Sequence, residues 1–325
     1  MNSPFTRLIG QPQAVELLTQ AVQKQRIAPA YLFVGSPGIG RSLAARCWIE
    51  LIFRQTQKSN HSSQSLSQRI VDRTHPDLFW VEPTYTYQGK RLSQQELQAA
   101  GLKRKSAPQI RLDQIREVSQ FLSRSPLEAQ RLIVVLEDAE TMAESAANGL
   151  LKTLEEPGRA TLILIAPSPE ALLPTLVSRC ARIPFYRLSE TDLTKVLQRT
   201  GSEVVLQRPE ILAMAQGSPG QAMIHWQQLQ AIATQTPEFL QRLDPLPQTL
   251  RSALELGRDI SQQFDLEAQL WLVDYLQQQV WQRQPDFDTP IFLHHLEQAR
   301  QQLRNHVQPR LIWECLFLSL NPLGV

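Results

Sequence analysis

Cysteine is scarce in this chain: Cys47, Cys180 and Cys315 are the three it has, far apart and without metal-ligand spacing. An odd, scattered set of this kind excludes a disulfide framework and suits a reducing compartment. Long apolar runs are missing as well. No stretch of about 18 uninterrupted apolar residues occurs, so nothing is expected to span a membrane. The opening MNSPFTRLIGQPQAVELL lacks the basic start and apolar core of a secretory signal. These absences read as a cytoplasmic protein. An excess of one charge is also lacking: 33 basic against 31 acidic groups leave a net +2. That balance argues against a surface gripping nucleic acid all round and leaves room for a local basic patch. Hydrophobic residues are 42% of 325, enough for a sizeable core divided over two or three domains.

What is present alternates at first. Short apolar runs separated by helical patterns, up to about residue 185, predict a parallel α/β sheet. The expected strands are Tyr31–Val34, Asp77–Val81, Leu132–Leu136, Leu162–Ala166 and Ala181–Phe185. Arg41–Phe53 reads as a helix with Leu43, Cys47 and Leu51 on its inner side. Two polar stretches interrupt. Residues 54–69 are Ser/Gln-rich and read as an exposed loop or disorder. Residues 84–106 read as a hairpin-like insertion around Gln88-Gly89 with a basic end. After Leu188 only helices are expected: Ser189–Arg199 behind a serine cap, then Glu210–Gln216, a break at Gly217-Ser218-Pro219-Gly220, and a bundle. Glycine is absent between Gly257 and Gly324, and Leu266, Leu270, Val273, Leu276 and Val280 recur at helical steps, as do Phe292, Leu296, Ala299 and Leu303. The predicted domains are a sheet domain over 1–187, a small helical lid over 188–225 and an all-helical domain over 226–325.

The stretch GSPGIGRS, Gly35 to Ser42, has the spacing of a phosphate-binding loop, with Gly35, Gly38 and Gly40 between a strand and a helix. Converging N–H groups and a helix N-terminus cradle phosphate in such a turn. The usual lysine is Arg41, a planar fork in place of a point charge, while Ser42 keeps the hydroxyl that would hold magnesium. The same spacing also fits a surviving turn with little nucleotide affinity. At the end of Leu132–Leu136 stand Glu137 and Asp138. Such a pair would organise magnesium and water, or merely begin a loop.

Larger segments carry a resemblance. TRLIGQPQAVELLTQAV, RIAPAYLFVGSPGIGR, HPDLFWVEP, IRLDQIREVSQFLSRSP, AANGLLKTLEEP (Ala146 to Pro157) and LVSRC with Ser178-Arg179-Cys180 resemble the AAA+ subunits of the bacterial clamp loader. The likeness covers about the first 225 residues closely, and the helical tail agrees in architecture. The insertion and the Gln-rich style fit a cyanobacterial type. The resemblance implies an AAA+ P-loop domain with a helical lid and a C-terminal helical collar. It implies partnership with gamma/tau and delta loader subunits, and through them with the sliding clamp and primed DNA. It also implies that Arg179 is an arginine finger acting in trans on a neighbour's ATP; a structural arginine tying a loop to the sheet is the alternative. Ser178 is read as capping that turn and Cys180 as a small packer.

Several positions depart from the hydrolysing pattern of that family. Arg41 replaces lysine, Glu137 and Asp138 stand in exchanged order, the sensor position falls at Pro167 with Ser168 beside it, and Gly220 stands where a second sensor arginine is expected. The expectation is a subunit whose own site is idle and which needs no ATP or magnesium of its own. The rival is an active ATP-hydrolysing subunit of gamma/tau type; a small-molecule P-loop kinase is a weaker third reading. The zinc module common in the family would fall in residues 54–69, which hold no cysteine; with His61 and His75 outside ligand spacing, no metal is expected. Lys103, Arg104, Lys105, Arg111, Arg116 and Arg124 form the most basic neighbourhood. Of these, Arg116 and Arg124 lie on or near a predicted helix whose relatives face DNA, so the resemblance implies that they are the candidates for phosphate contacts; solvated charge is the other reading.

Overall fold

The computed structural model describes residues 3–56, 63–102, 107–155, 158–236, 238–243, 247, 249–282, 289–305 and 307–319. Lys103, Arg104, Lys105 and His61, and the last two residues of the AANGLLKTLEEP segment, lie outside them. The chain divides into two compact units, Met1–Val196 and Leu197–Val325.

The first unit runs α1 (Pro12–Gln23), β1 (Ala30–Val34), α2 (Arg41–Thr56), α3 (Ser63–Val71), β2 (Leu78–Val81), β3 (Tyr85–Tyr87), β4 (Lys90–Leu92), α4 (Gln94–Ala99), α5 (Leu112–Leu122), β5 (Leu132–Leu136), α6 (Glu144–Glu155), β6 (Ala160–Ala166), α7 (Pro174–Val177) and β7 (Ala181–Pro184). Five strands form one sheet in the order β2-β5-β6-β1-β7, and every pairing in it is parallel. All five predicted strands are there, within two residues of their expected ends. β5 and β6 are buried throughout, as the continuous apolar runs of a sheet covered on both faces require. On one face Leu32, Val134 and Leu164 pack with Ile115 and Val118 of α5 and Leu150 of α6. On the other, Tyr31 meets Trp48 of α2 edge-on at 4.6 Å between ring centroids.

The Ser/Gln-rich stretch departs from expectation. α2 continues to Thr56 and α3 begins at Ser63, with Leu66 and Ile70 buried; residues 57–62 are not among those described. Polar residues there carry no periodic signal, and only burial of two apolar side chains in the fold makes the helix worthwhile. α2 also buries more than its predicted face: Ala44, Ala45, Trp48, Ile49 and Phe53 are inaccessible, whereas Leu43 and Leu51 are half-buried. Its buried Glu50 accepts from Arg7 Nη2 at 2.5 Å and also pairs with Arg54. The hairpin prediction holds. β3 and β4 pair antiparallel, and Gln88 and Gly89 both take positive φ, 48° and 78°, as a two-residue turn with matching twist demands.

The remaining helices are α8 (Glu190–Arg199), α9 (Pro209–Ala215), α10 (Pro219–Gln235), α11 (Phe239–Leu243), α12 (Leu250–Gln263), α13 (Leu266–Gln282), α14 (Thr289–Arg304) and α15 (Pro309–Ser319). Ser189 caps α8 by accepting from the Asp192 N–H at 3.2 Å. Leu296, Ala299 and Leu303 of α14 are buried as the periodicity predicts. α13 differs: Ala268, Gln269, Trp271, Leu272, Val273 and Leu276 are buried and Leu266 is exposed. A helix enclosed on several sides has no single stripe to read. Its buried Gln269 is satisfied, donating to the Phe264 carbonyl at 2.8 Å and accepting from the Trp313 indole at 2.9 Å.

Candidate functional site

The glycine loop leaves the carboxyl end of β1 and enters α2 at Arg41. A Cβ on Gly35 would lie 2.5 Å from the Phe185 carbonyl oxygen and 2.7 Å from Ile39 Cδ1, so the loop closes this tightly only with glycine. Gly38 and Gly40 take φ of 78° and 102°. Gln11, to which the sequence assigned no role, holds the loop from behind. Its amide donates to the Tyr186 carbonyl at 2.7 Å and the Ile39 carbonyl at 3.3 Å, and its oxygen accepts the Tyr186 N–H at 3.0 Å. No periodicity marks such a side chain; its signal is its place between Gly10 and Pro12 ahead of a helix.

The fold brings the loop and the acidic pair together. Ser42 Oγ donates to Glu137 Oε1 at 2.5 Å, the Trp80 indole donates to Glu137 Oε2 at 2.8 Å, and Arg73 Nη2 lies 3.9 Å from that second oxygen. Both oxygens of Glu137 are thereby engaged within the chain. Trp80 carries Arg46 and Arg73 at 5.3 and 5.4 Å from its ring centroid, within cation–π range, and Arg73 also pairs with Glu82 at 2.8 Å. Sequence reasoning missed Trp80 and Arg73, which lie outside the loop and the acidic pair.

Arg41 is 6% exposed, and its Nη1 has no hydrogen-bond partner among the described residues. Burial pushes its guanidinium below the usual arginine range, against the pull of Asp138, Glu140 and Glu137. Asp138, at φ 47°, is raised by burial first and then by its neighbour Glu137, and burial also raises Glu140. Pro167 and Ser168 follow β6, the strand between β1 and β5, and Gly220 lies in the first turn of α10 in the second unit. Among the described residues no group of three or more His, Cys, Asp or Glu is arranged to hold a metal ion.

Arg179 lies elsewhere. It precedes β7, whose residues pair with β1 from Tyr31↔Ala181 to Val34↔Pro184. The glycine loop leaves the carboxyl end of these parallel strands and Arg179 enters at the amino end. The paired stretch alone separates them by roughly 10 Å at ~3.3 Å per residue. Its guanidinium donates to the Thr175 carbonyl and to Glu155 Oε1, each at 3.0 Å, and its side chain is 39% exposed. Ser178 caps the turn through the Thr175 carbonyl at 3.1 Å. Cys180 packs against the core, and burial raises its thiol to about 11, so it is a packing residue without nucleophilic character.

Arg116 is exposed on α5 and has no ion-pair or hydrogen-bond partner among the described residues. Arg124 is also exposed, but its guanidinium donates to the Pro76 carbonyl and lies 4.3 Å from the Phe121 ring centroid. The HPDLFWVEP segment has a structural task. The fully buried Asp77 accepts the N–H groups of Leu127, Glu128 and Ala129, each at 2.7 Å, and so clamps the loop that leads into β5. The buried His75 beside it stacks on Phe53 at 4.3 Å.

A glycine loop at the end of β1, an acidic pair at the end of β5 with only β6 between the two strands, and a helix following the loop define a P-loop module, with a helical unit after it. Residues 10–189 match the family described as DNA polymerase III, delta subunit, and residues 191–320 match the cyanobacterial DNA polymerase III delta prime, C-terminal domain. The chain belongs to the DNA polymerase III delta-prime family. It is 31% identical over 240 residues to the DNA polymerase III subunit delta' of Pseudomonas aeruginosa, covering 71% of this chain and 66% of that one. To the delta' subunit of Bacillus subtilis it is 32% identical over 180 residues, covering 55% and 48%. The match thus spans about half to two thirds of the length of these relatives. A solved Thermotoga maritima protein related to the DNA polymerase III gamma subunit is similar in structure over 94% of this chain and 97% of that one, at 16% identity and a TM-score of 0.44.

Proposed function

We propose that this chain is the delta-prime subunit of a DNA polymerase III clamp loader, a partner that helps place a ring-shaped sliding clamp on primed DNA. In this reading it performs no polymerase chemistry or ATP hydrolysis of its own and lends Arg179 to ATP on a neighbouring subunit. One observation carries the reading: Arg179 stands at the end of the sheet opposite its own glycine loop, held by a carbonyl and one exposed carboxylate. A guanidinium there lies away from its own glycine loop, which supports a role toward a nucleotide on another chain. It would neutralise charge developing on the transferred phosphoryl group, and would make hydrolysis depend on assembly.

The residues at its own loop fit magnesium and ATP poorly. The glycine cradle is kept, but Arg41 cannot reproduce a lysine's point charge. Both Glu137 oxygens are engaged by Ser42 and Trp80, with Arg73 close by, so the acid that would organise a metal already has hydrogen-bond partners within the chain. With Pro167 and Gly220 at the sensor positions, this supports an idle site that requires neither ATP, magnesium nor zinc. Residues 188–225 are read as the lid, ending within α10, and 226–325 as the collar that joins gamma/tau and delta subunits. No helix among the described residues is long and apolar enough to cross a membrane, which accords with a cytoplasmic role.

The test is reconstitution with the other loader subunits. Arg179→Ala should lower DNA-stimulated ATP turnover and clamp loading while the complex still assembles; undiminished activity would refute the assignment. The second reading, an ATP-hydrolysing subunit of gamma/tau type, is favoured by the surviving Ser42–Glu137 contact. Tight magnesium-dependent ATP binding with turnover by this chain alone would establish it.

A further inference from the structure

The second unit holds a cavity of about 610 Å³ that has no part in the nucleotide reading. That volume is typical of a site for a small organic ligand. Its walls come from α9, α10, α13 and α14. Asp274, Gln277 and Trp281 line it from one face of α13, and Leu293, Glu297 and Arg300 from one face of α14, at three- and four-residue steps. His225 enters from α10.

The charges on these walls do not balance, because two carboxylates face one guanidinium. Arg300 Nη2 donates to Asp274 Oδ1 and to Gln277 Oε1. Its Nε lies 3.5 Å from Glu297 Oε2 without making a hydrogen bond. Asp274 Oδ2 and both oxygens of Glu297 therefore have no hydrogen-bond partner among the described residues. His225 adds no cation. The Trp271 indole, which can only donate, bonds to its Nδ1 at 3.0 Å, so the imidazole proton sits on Nε2. Burial also pushes His225 below the usual histidine range. One negative charge is left in surplus. Burial holds Asp274 above the ordinary aspartate range in spite of Arg300, a cost that a second cation would relieve.

We propose that this cavity binds an organic cation, an ammonium or guanidinium on an alkyl stem, with Asp274 and Glu297 as its acceptors and Trp281 as its aromatic wall. Trp281 is 65% exposed, so its ring face is open to a cation, and Leu293 offers the stem an apolar surface. The acids and His225 are not arranged to hold a metal ion, and the volume far exceeds what a bare ion needs. A free polyamine and a basic side chain of another chain both present this chemistry.

Isothermal titration calorimetry of the full chain tests this with two probes, spermidine and a blocked glycyl-arginyl-glycine peptide. Glu297→Gln should weaken the tighter probe about 5- to 10-fold, and Trp281→Ala about 2- to 5-fold. Glu297 has no hydrogen bond to lose, so its variant should keep the Tm of the unaltered chain, which separates lost binding from lost folding. Tighter binding of spermidine would make the ligand a free polyamine; tighter binding of the peptide would make it a side chain from another chain. Either supports the proposal. Binding of neither probe would overturn it. So would affinities unchanged in the Glu297→Gln/Trp281→Ala double variant, the mark of attraction to acids elsewhere on the surface, or binding of the dianion glutarate in place of both probes.

Discussion

The two ends of one sheet contrast sharply in how they treat charge. At the carboxyl end, Glu137 is bonded to Ser42 and Trp80, Arg73 stands close to it, and Arg41 is buried among Asp138, Glu140 and Glu137. At the amino end, Arg179 remains at the surface, tied to Glu155, whose side chain is 56% exposed. Exposed pairs of this kind are worth about 0–1 kcal/mol, so Glu155 holds the arginine only weakly. The lesson is that a phosphate-binding fold can keep its shape by answering the charges at its loop from within, while an arginine at the other end of the same sheet is held only by an exposed pair.

The largest effect should come from the amino end. Arginine fingers are worth about 10³–10⁵ in kcat, so Arg179→Ala should reduce turnover at the junction it serves by at least about 100-fold. Single-turnover ATP hydrolysis in the reconstituted loader measures this, and a loss under twofold would remove the contrast between the two ends.

Next in size is a test of what makes that end rigid. Asp77→Ala strips a buried partner from three N–H groups, each charge-assisted bond being worth about 1.5–3 kcal/mol and not additive. A loss of about 3–5 kcal/mol in denaturant unfolding is expected. A loss below about 1 kcal/mol would mean that the Leu127–Ala129 loop holds itself.

The smallest effect concerns the carboxyl end. Burial raises Asp138 in the folded chain above its ordinary value. Protonation of such a group stabilises the fold; that contribution is complete below the unfolded pKa and is lost as pH rises through the folded one. At pH 7 the ionised carboxylate is therefore a penalty, and Asp138→Asn should raise Tm by about 1–3 °C. The difference should vanish at pH values below the ordinary aspartate range. A destabilised Asp138→Asn at pH 7 would show that Asp138 is held by Arg41 more strongly than burial disfavours it.

Much of the molecule was legible because its signals are local. Continuous apolar runs marked four of the five strands, Gln88-Gly89 marked the hairpin, and the glycine spacing marked the loop. Less local features were hidden. α3 has too few apolar residues for a period to be read, α13 is buried on several sides, and Gln11, Trp80 and Arg73 act through partners far along the chain.

By itself, the sequence determined the parallel sheet, the helical remainder, the loop with Arg41 in place of lysine and the presence of an arginine at 179. Those follow from periodicity, turn chemistry and residue type, which neighbouring residues set. Only the tertiary structure decided that both Glu137 oxygens are hydrogen-bonded from within the chain and that Arg179 lies at the end of the sheet away from its own loop. Both depend on strand order and parallel register, which bring distant segments together or hold them at opposite ends of the sheet.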